Sequence, residues 1–443
     1  MNSSISYKRI WTIAYPIIIG SIAQNIINVT DTAFIGQLGE VSLGGGAIGG
    51  LFYMTLIMFG WGFGIGTQII IARRFGEGAF RPIGRTVDHG YLFLMMLALL
   101  IFTLVKLFGQ DLLNLIVDSE AVKQSSSEFI QYRIWGIFFA HTNFIFRAFY
   151  IGIAKTKVIT LTTLVMVTVN VILDYGLIFG NFGLPEMGVS GAALASVISE
   201  ITCALAFLIY TVSKIPRDKY RLFKFKIYSP RLLFRMLKVS TPMMLQNFFS
   251  FGVWFVFFLI IEKMGESELA VSNIVRSIYI ILMIPIMGFA SATNTLVSYA
   301  IGKGDVDDVM RIIKRILLLS TSGVLLIVGT CSLIPEKLLS IYTSDPHLIQ
   351  MGIPIIYIIS FSSVMLGIGN ILFSGVSGTG KTNVSLIIEI GLLTVYLAFT
   401  AVVVIVFEAP VEVVWGVELV YGGLLSVASY LYLRSKRWVG SSV

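Results

Sequence analysis

Long apolar segments follow one another along almost the whole chain, and they constrain the fold more than any other feature. Only 13% of the 443 residues are charged, about half the share usual in soluble domains. A helix needs about 20 apolar residues to cross the hydrocarbon core of a bilayer. Twelve segments reach about that length, near residues 11–36, 44–72, 85–108, 129–153, 158–180, 188–212, 239–262, 268–299, 311–334, 347–374, 384–407 and 412–433.

These segments predict an all-α integral membrane protein with twelve transmembrane helices. The two-residue alternation of a membrane β-barrel strand is absent from them. The opening MNSSISYKRIW contains no cleavage site, and the apolar run that follows has the length of a span. We therefore expect a multi-pass protein without a signal peptide.

Basic residues are distributed unevenly between the two sides of the predicted membrane. Of the 32 Lys and Arg, 25 lie at the termini or in the loops after the even-numbered spans. Lys and Arg concentrate on the cytoplasmic side of membrane proteins. We therefore expect both termini to be cytoplasmic, in the cell membrane. The most basic loop, residues 214–238, is expected to contact anionic lipid headgroups rather than nucleic acid.

The stretch GVSGTGKT at residues 375–382 fits the pattern of a nucleotide phosphate-binding loop. A true loop of this kind follows a parallel strand and opens a helix in a soluble domain. Here one predicted span precedes the stretch and another follows it. We interpret it as a tight cytoplasmic turn between spans 10 and 11, and we expect no nucleotide partner.

The second half of the chain repeats landmarks of the first half at a constant spacing. Three pairs of residues share this spacing: Pro16 and Pro242, Gly39 and Gly265, and Gly76 and Gly302. The repeat divides the chain into a six-helix lobe at 1–213, a basic cytoplasmic linker at 214–238 and a second six-helix lobe at 239–443. Because six spans return a chain to its starting side, the lobes are predicted to be parallel repeats, an arrangement typical of transporters.

Several ionisable residues fall inside the predicted spans, where each is a functional-site hypothesis by default. Gln24, Asn28 and Asp31 are spaced to share one helix face, as are Asn170 and Asp174. Positions matching the two aspartates in the second half are apolar, Phe257 and Leu397. The halves are therefore predicted to share a scaffold but not their polar chemistry.

Three further polar positions complete the candidate set. Ser196 and Glu200 share a face of span 6, and Glu389 is interpreted as the one deep acid of the second half. For Glu200, a structural ion pair and a functional role both stay open. For Glu389, a substrate or coupling role and a pairing with Arg276 stay open. Arg133 and Arg147, on span 4, are interpreted as locking helices together or reaching the interface.

The two aspartates suggest a site for a coupling ion. Carboxylate, amide and hydroxyl oxygens suit a hard cation such as Na⁺, with Asp31, Asn170 and Asp174 as its ligands. Alternatively, two buried neighbouring carboxyls hold a proton near neutral pH. The sequence leaves both ions open, and we expect no other cofactor.

The ordered motifs VTDTAFIGQLG, FRAFYIGIAKTK, NVILDYGLIFG and GVSGAALAS resemble those of the multidrug and toxin extrusion (MATE) transporters, across nearly the whole chain. The resemblance implies an antiporter that exports organic cations, driven by Na⁺ or H⁺. In prokaryotic members the coupling site matches Asp31, Asn170, Asp174 and Ser196 here. The span-1 glutamine that contacts substrate or gate matches Gln24. We also assign Asn28 and Glu200 as candidates for substrate contact or gating.

Two other functions compete with cation export. A lipid-linked saccharide flippase of the same superfamily would need a cationic cavity, whereas deep acids outnumber deep arginines here. An integral-membrane enzyme would need clustered histidines or a nucleophile–base pair, and the three histidines are scattered. We therefore expect a transporter rather than an enzyme. We expect it to be monomeric, with small amphipathic organic cations and the bilayer as its partners.

Overall fold

The computed structural model describes residues 6–225 and 228–440, and the regular elements within them are all helices. Lys226 and Ile227, which belong to the predicted linker, lie outside the described residues. The described residues form sixteen α-helices: α1 Tyr7–Gly36, α2 Glu40–Gly76, α3 Phe80–Ile116, α4 Glu120–Arg133, α5 Ile137–Gly152, α6 Lys157–Phe179, α7 Gly188–Lys214, α8 Arg217–Tyr220, α9 Pro230–Glu262, α10 Glu266–Lys303, α11 Val309–Leu333, α12 Pro335–Ser340, α13 Pro346–Gly378, α14 Thr382–Ala401, α15 Val411–Trp415 and α16 Val417–Arg434.

Within the described residues, eleven helical segments are long and apolar enough to cross a membrane. The remaining predicted span, 129–153, is built from α4 and α5, which a short 3₁₀ turn at Ile134–Gly136 joins. The all-helical class with twelve spans is therefore confirmed. The interruption of span 4 was not predicted, because hydropathy averages over a segment and does not register a local change of helix type.

The repeat is visible in the backbone as well as in the sequence. Gly39 and Gly265 directly precede α2 and α10, with φ of 104° and 153°. Gly78 and Gly304 follow the same two helices, with φ of 70° and 90°. Both pairs have the spacing of the sequence repeat, and all four residues adopt a conformation that side chains disfavour. Glycine is therefore retained at both ends of this helix in both halves.

The phosphate-loop-like stretch forms a helix–turn–helix junction. It begins in the last turn of α13, which ends at Gly378, and it ends at Thr382, the first residue of α14. Gly380 has φ of 87° within the turn. The backbone thus follows the predicted tight turn.

The described residues divide into two compact units. The first comprises residues 19–244, and the second combines the residues up to Ile18 with those from Leu245 onward. The boundaries lie inside α1 and α9, so these helices belong to both units. The sequence-based division at residues 214–238 stays a prediction.

Within the first unit, the linker is fastened to the N-terminal part of α3. The Asp88 carboxylate accepts hydrogen bonds from the backbone N–H groups of Phe223 (3.0 Å), Lys224 (3.0 Å) and Phe225 (3.2 Å). One residue on, His89 Nε2 accepts the N–H of Ser229 at 2.8 Å. Three donors converge on one carboxylate, so this part of the linker has a defined conformation.

Candidate functional site

Four of the predicted site residues come together inside the first unit. Asp31 lies near the end of α1, Asn170 and Asp174 lie on α6, and Ser196 lies on α7. Asn170 and Asp174 have no exposed surface, and Ser196 is 7% exposed. Three helices therefore bring an amide, a hydroxyl and two carboxyl groups to one buried place.

Asp31 is the centre of this group. Ser196 Oγ donates a hydrogen bond to Asp31 Oδ2 at 3.4 Å. The Asp31 carboxyl also neighbours the side chains of Asp174 and Asn170. We call these four residues the aspartate cluster.

The aspartate cluster is short of hydrogen-bond partners. Among the described residues, Asp31 Oδ1, both carboxylate oxygens of Asp174 and both amide atoms of Asn170 are buried without a partner. Most buried polar atoms in proteins are hydrogen-bonded, so each exception calls for an explanation. Four of these five atoms are oxygens, the atom type that hard cations bind.

A second polar group, beside the aspartate cluster, is fully paired. Arg133 donates two hydrogen bonds to Glu200, from Nη1 to Oε2 at 2.9 Å and from Nη2 to Oε1 at 2.6 Å. The guanidinium also lies 3.8 Å above the centroid of the Tyr53 ring. A Cβ at Gly136, in the 3₁₀ turn, would collide with both Arg133 and Glu200. Glycine at that turn therefore makes room for the ion pair.

The charges of the two groups do not balance. The Arg133–Glu200 pair is neutral, and it leaves Asp31 and Asp174 as two carboxyls without a paired cation among the described residues. Arg133 attracts Asp31 electrostatically from within its pair. An isolated buried carboxylate is costly unless it is neutralised. Binding of at least one proton or monovalent cation would lower this cost.

The remaining predicted residues of the first unit have different surroundings. Gln24 and Asn28 are exposed on α1 and are not part of the aspartate cluster. The backbone carbonyl of Asn28 accepts the Thr32 hydroxyl at 2.7 Å. Glu200 is held by Arg133, and its predicted substrate or gating role stays a prediction, as do those of Gln24 and Asn28.

The second unit has aromatic packing where the first has its span-1 aspartate. Phe257, which matches Asp31 in the repeat, is fully buried. Its ring lies 5.6 Å from that of Tyr396 and 5.3 Å from that of Trp415. The predicted difference between the halves is therefore present at this position.

The second unit nevertheless contains two deep acids, and interpreting Glu389 as the only one was wrong. Glu389 and Glu418 are 2% and 3% exposed. Sequence reasoning missed Glu418 because it is the second residue of α16 and lies close to the start of its predicted span, 412–433. The signal available was its spacing from Trp415 and Tyr421, three residues to either side, which puts all three near one helix face.

Like Arg133, the other two deep arginines lie over aromatic rings. Arg147 is 5.3 Å from the centroid of the Trp61 ring, and Arg276 is 5.0 Å from that of Phe258. Glu389 instead accepts hydrogen bonds from Ser250 and Tyr421. The pairing of Glu389 with Arg276 is therefore not formed in this structure. No observation on these arginines favours the flippase alternative.

Comparison with known proteins agrees with this architecture. The family model MatE matches residues 16–176 and 242–407, two segments that start at the repeated prolines Pro16 and Pro242. A probable multidrug resistance protein NorM of Thermotoga maritima is 26% identical over 441 residues, covering 97% of this chain and 93% of the relative. A probable multidrug resistance protein NorM of Synechocystis is 24% identical over 389 residues, covering 85% and 83%.

Solved structures give the same fold. A MOP superfamily transporter from Pyrococcus furiosus superposes with a TM-score of 0.89, at 21% identity, over 97% of this chain and 95% of that one. A multidrug resistance MATE family transporter in an outward-facing conformation superposes with the same TM-score, identity and coverage.

Proposed function

Because this chain belongs to the MATE family of multidrug and toxin extrusion transporters, we propose that it exports small organic cations, using an inward Na⁺ or H⁺ gradient. Members of this family are transporters rather than enzymes, and the relatives named above are multidrug resistance proteins. We propose further that transport is an antiport against Na⁺ or H⁺ and that the exported molecules carry a positive charge.

The observation that carries the proposal is the unsatisfied aspartate cluster. Two carboxyls and an amide lie together, and five of their atoms are buried without a hydrogen-bond partner in the described part of the chain. A neighbouring acid in the same unit, Glu200, is instead fully paired. A purely structural role would favour pairing Asp31 and Asp174 as well. The cluster is therefore suited to the reversible binding of an ion.

Either ion fits the donor set. A proton would neutralise one carboxyl and bridge it to the other. Na⁺ would be held by oxygens of Asp31, Asp174, Asn170 and Ser196, and would supply a positive charge without any proton transfer. In both cases Asp31 and Asp174 bind the ion, Ser196 orients Asp31, and Asn170 provides an amide oxygen beside it.

Ion binding drives export if it favours one arrangement of the transporter over another. Neutralising the aspartate cluster relieves the repulsion between two neighbouring carboxyls. Burying these carboxyls therefore costs less free energy in the ion-bound form than in the empty form. A ligand shifts a conformational equilibrium by its difference in affinity for the two states. The occupied state is the one proposed to release substrate outward.

The substrate contacts and the membrane setting complete the proposal. Gln24 and Asn28 have exposed amides on α1, within the predicted membrane span, where lipid would not solvate them. We propose that these amides contact the substrate. Both termini are cytoplasmic, and the exposed basic residues of the linker face anionic headgroups. The transporter works as a monomer in the cell membrane.

Reconstitution in liposomes tests the function. The purified protein is incorporated into vesicles, and transport of ethidium, a flat organic cation, is followed by fluorescence under a Na⁺ or an H⁺ gradient. We expect one gradient to drive transport. Asp31→Asn and Asp174→Asn should each lower that rate at least about tenfold, within the range typical of coupling energies.

Asp111→Asn is the matched control, because Asp111 is an exposed aspartate on α3. It should transport at the wild-type rate. Gradient-driven transport at the wild-type rate by Asp31→Asn plus Asp174→Asn would show that the aspartate cluster does not carry the ion.

A further inference from the structure

The second unit contains a buried network of acids and phenols that the proposed export mechanism does not use. Glu389 lies on α14 and Glu418 on α16. Three tyrosine hydroxyls and one serine hydroxyl donate to these two carboxyls. The two acids are similarly buried, yet their surroundings differ in a way that separates their roles.

Glu418 is satisfied at both oxygens. The Tyr396 hydroxyl donates to Oε1 at 2.9 Å, and the Tyr279 hydroxyl donates to Oε2 at 2.9 Å. Because each carboxylate oxygen has its own phenol donor, nothing further is needed to complete this group. The arrangement ties α10 and α14 to α16.

Glu389 is satisfied at one oxygen only. Ser250 Oγ donates to Oε1 at 2.5 Å, and the Tyr421 hydroxyl donates to the same oxygen at 2.9 Å. Oε2 is buried and has no hydrogen-bond partner within residues 6–225 and 228–440. The Glu389 side chain is only 2% exposed. A bound proton would reside on its unpartnered oxygen, Oε2.

The charged surroundings of Glu389 strengthen this assignment. Neither Glu389 nor Glu418 takes part in an ion pair in the described part of the chain. Arg276, the deep arginine of this unit, lies over Phe258. A chain of contacts links Glu389 to other titratable groups. Tyr421 donates to Glu389, and the Tyr396 ring lies 5.9 Å from the Tyr421 ring. Tyr396 in turn donates to Glu418, as does Tyr279.

We propose that Glu389 is a second proton-binding site, which gains and loses a proton at Oε2. On release the carboxyl O–H bond breaks, the carboxylate keeps the electron pair, and the proton passes to water. The resulting anion is held by the hydroxyls of Ser250 and Tyr421. Glu418 keeps a constant protonation state because both of its oxygens are occupied.

A proton suits this place better than a metal cation. Glu389, Ser250 and Tyr421 supply few oxygens, whereas hard cations prefer six or more. The aspartate cluster, with two carboxyls, an amide and a hydroxyl, is richer in ligands. Glu389 can bind a proton whether or not the protein exports organic cations. Only a role of this proton in transport rests on the proposed function.

Infrared difference spectroscopy on the full-length protein in membranes tests the proposal. Spectra at acid and alkaline pH are subtracted to reveal the C=O stretch of any carboxylic acid that titrates. The measurement uses the Asp31→Asn plus Asp174→Asn background, so that the aspartate cluster contributes no signal. We expect a titrating carboxylic-acid band in this background, its loss on adding Glu389→Gln, and its retention on adding Glu418→Gln.

Two outcomes would overturn the proposal: a band that survives Glu389→Gln, or a band that disappears with Glu418→Gln alone. If Glu389→Gln does not fold, Tyr421→Phe keeps the carboxyl and removes one donor. A shift of the band and of its pH dependence then supports the site, and an unchanged band contradicts it. Because the spectra need no transport, failure here is distinguishable from failure of the proposed export function.

Discussion

Glu200 and Asp31 are acids of the same unit, but they have opposite surroundings. Glu200 is bound by both terminal nitrogens of Arg133, over the Tyr53 ring. Asp31 has one oxygen beside Ser196, and its other oxygen has no hydrogen-bond partner among the residues that the structure describes. The first arrangement is a fixed link between helices, whereas the second is available to an exchangeable ligand. Proximity therefore does not imply a shared role.

The Arg133–Glu200 link should matter for stability more than for ion coupling. Glu200→Gln leaves the arginine charge, whose side chain is 13% exposed, without its counterion. Breaking a buried pair from one side costs about 3–5 kcal/mol. We expect a clear fall in the thermal unfolding temperature of the detergent-solubilised protein.

The control is Glu186→Gln, at an exposed glutamate before α7, which should change the stability by less than about 0.5 kcal/mol. Replacing both partners with leucine should restore much of the loss. Equal unfolding temperatures for Glu200→Gln and Glu186→Gln would contradict the structural role.

At the scale of elements, the structure differs most from the sequence prediction where distant residues decide the outcome. The phenol donors of Glu418 lie 139 and 22 residues away in the chain. No local pattern in α16 contains that information. Likewise, the 3₁₀ turn in span 4 makes room for the ion pair between Arg133 and Glu200, which are 67 positions apart in the chain. Hydropathy predicts that a segment crosses the membrane, but not which polar groups it pairs with.

The contact between α3 and the linker leads to a testable expectation. Asp88→Ala removes the acceptor shared by the backbone N–H groups of Phe223, Lys224 and Phe225. Hydrogen bonds to a charged group contribute about 1.5–3 kcal/mol each. Hydrogen exchange at these three amides should therefore accelerate at least about tenfold, measured by mass spectrometry.

Asp111→Ala, at an exposed position on the same helix, provides the control and should leave exchange in the linker unchanged. If Asp88→Ala also leaves it unchanged, the carboxylate does not hold the linker in solution.

At the scale of the whole molecule, the scaffold was predictable because its signals are local or periodic. Apolar length identified the spans, and the constant spacing of matching prolines and glycines identified the repeat, which recurs in the two segments matched by the family model. The aspartate cluster was predictable because its residues are polar inside apolar helices. Glu418 and the partners of Glu389 were not, since they depend on side chains brought together by folding.

Membrane orientation is a further expectation at this scale. In a variant with Cys203→Ala and Cys331→Ala, a single cysteine replaces either Arg217 in the linker or Asp118 between α3 and α4. The charge distribution predicts Arg217→Cys to be cytoplasmic and Asp118→Cys to be outside. A membrane-impermeant maleimide added to intact cells should label only Asp118→Cys, and the reverse pattern would contradict the orientation.

The central claim is that the aspartate cluster couples ion movement to substrate movement, and coupling is reciprocal. The most direct measurement therefore imposes only a substrate gradient across proteoliposomes and records Na⁺ or H⁺ flux in the opposite direction. The account predicts an ion flux with the wild-type protein and none with Asp31→Asn plus Asp174→Asn. Substrate movement without any ion flux in the wild type, or an undiminished flux in the double variant, would contradict it.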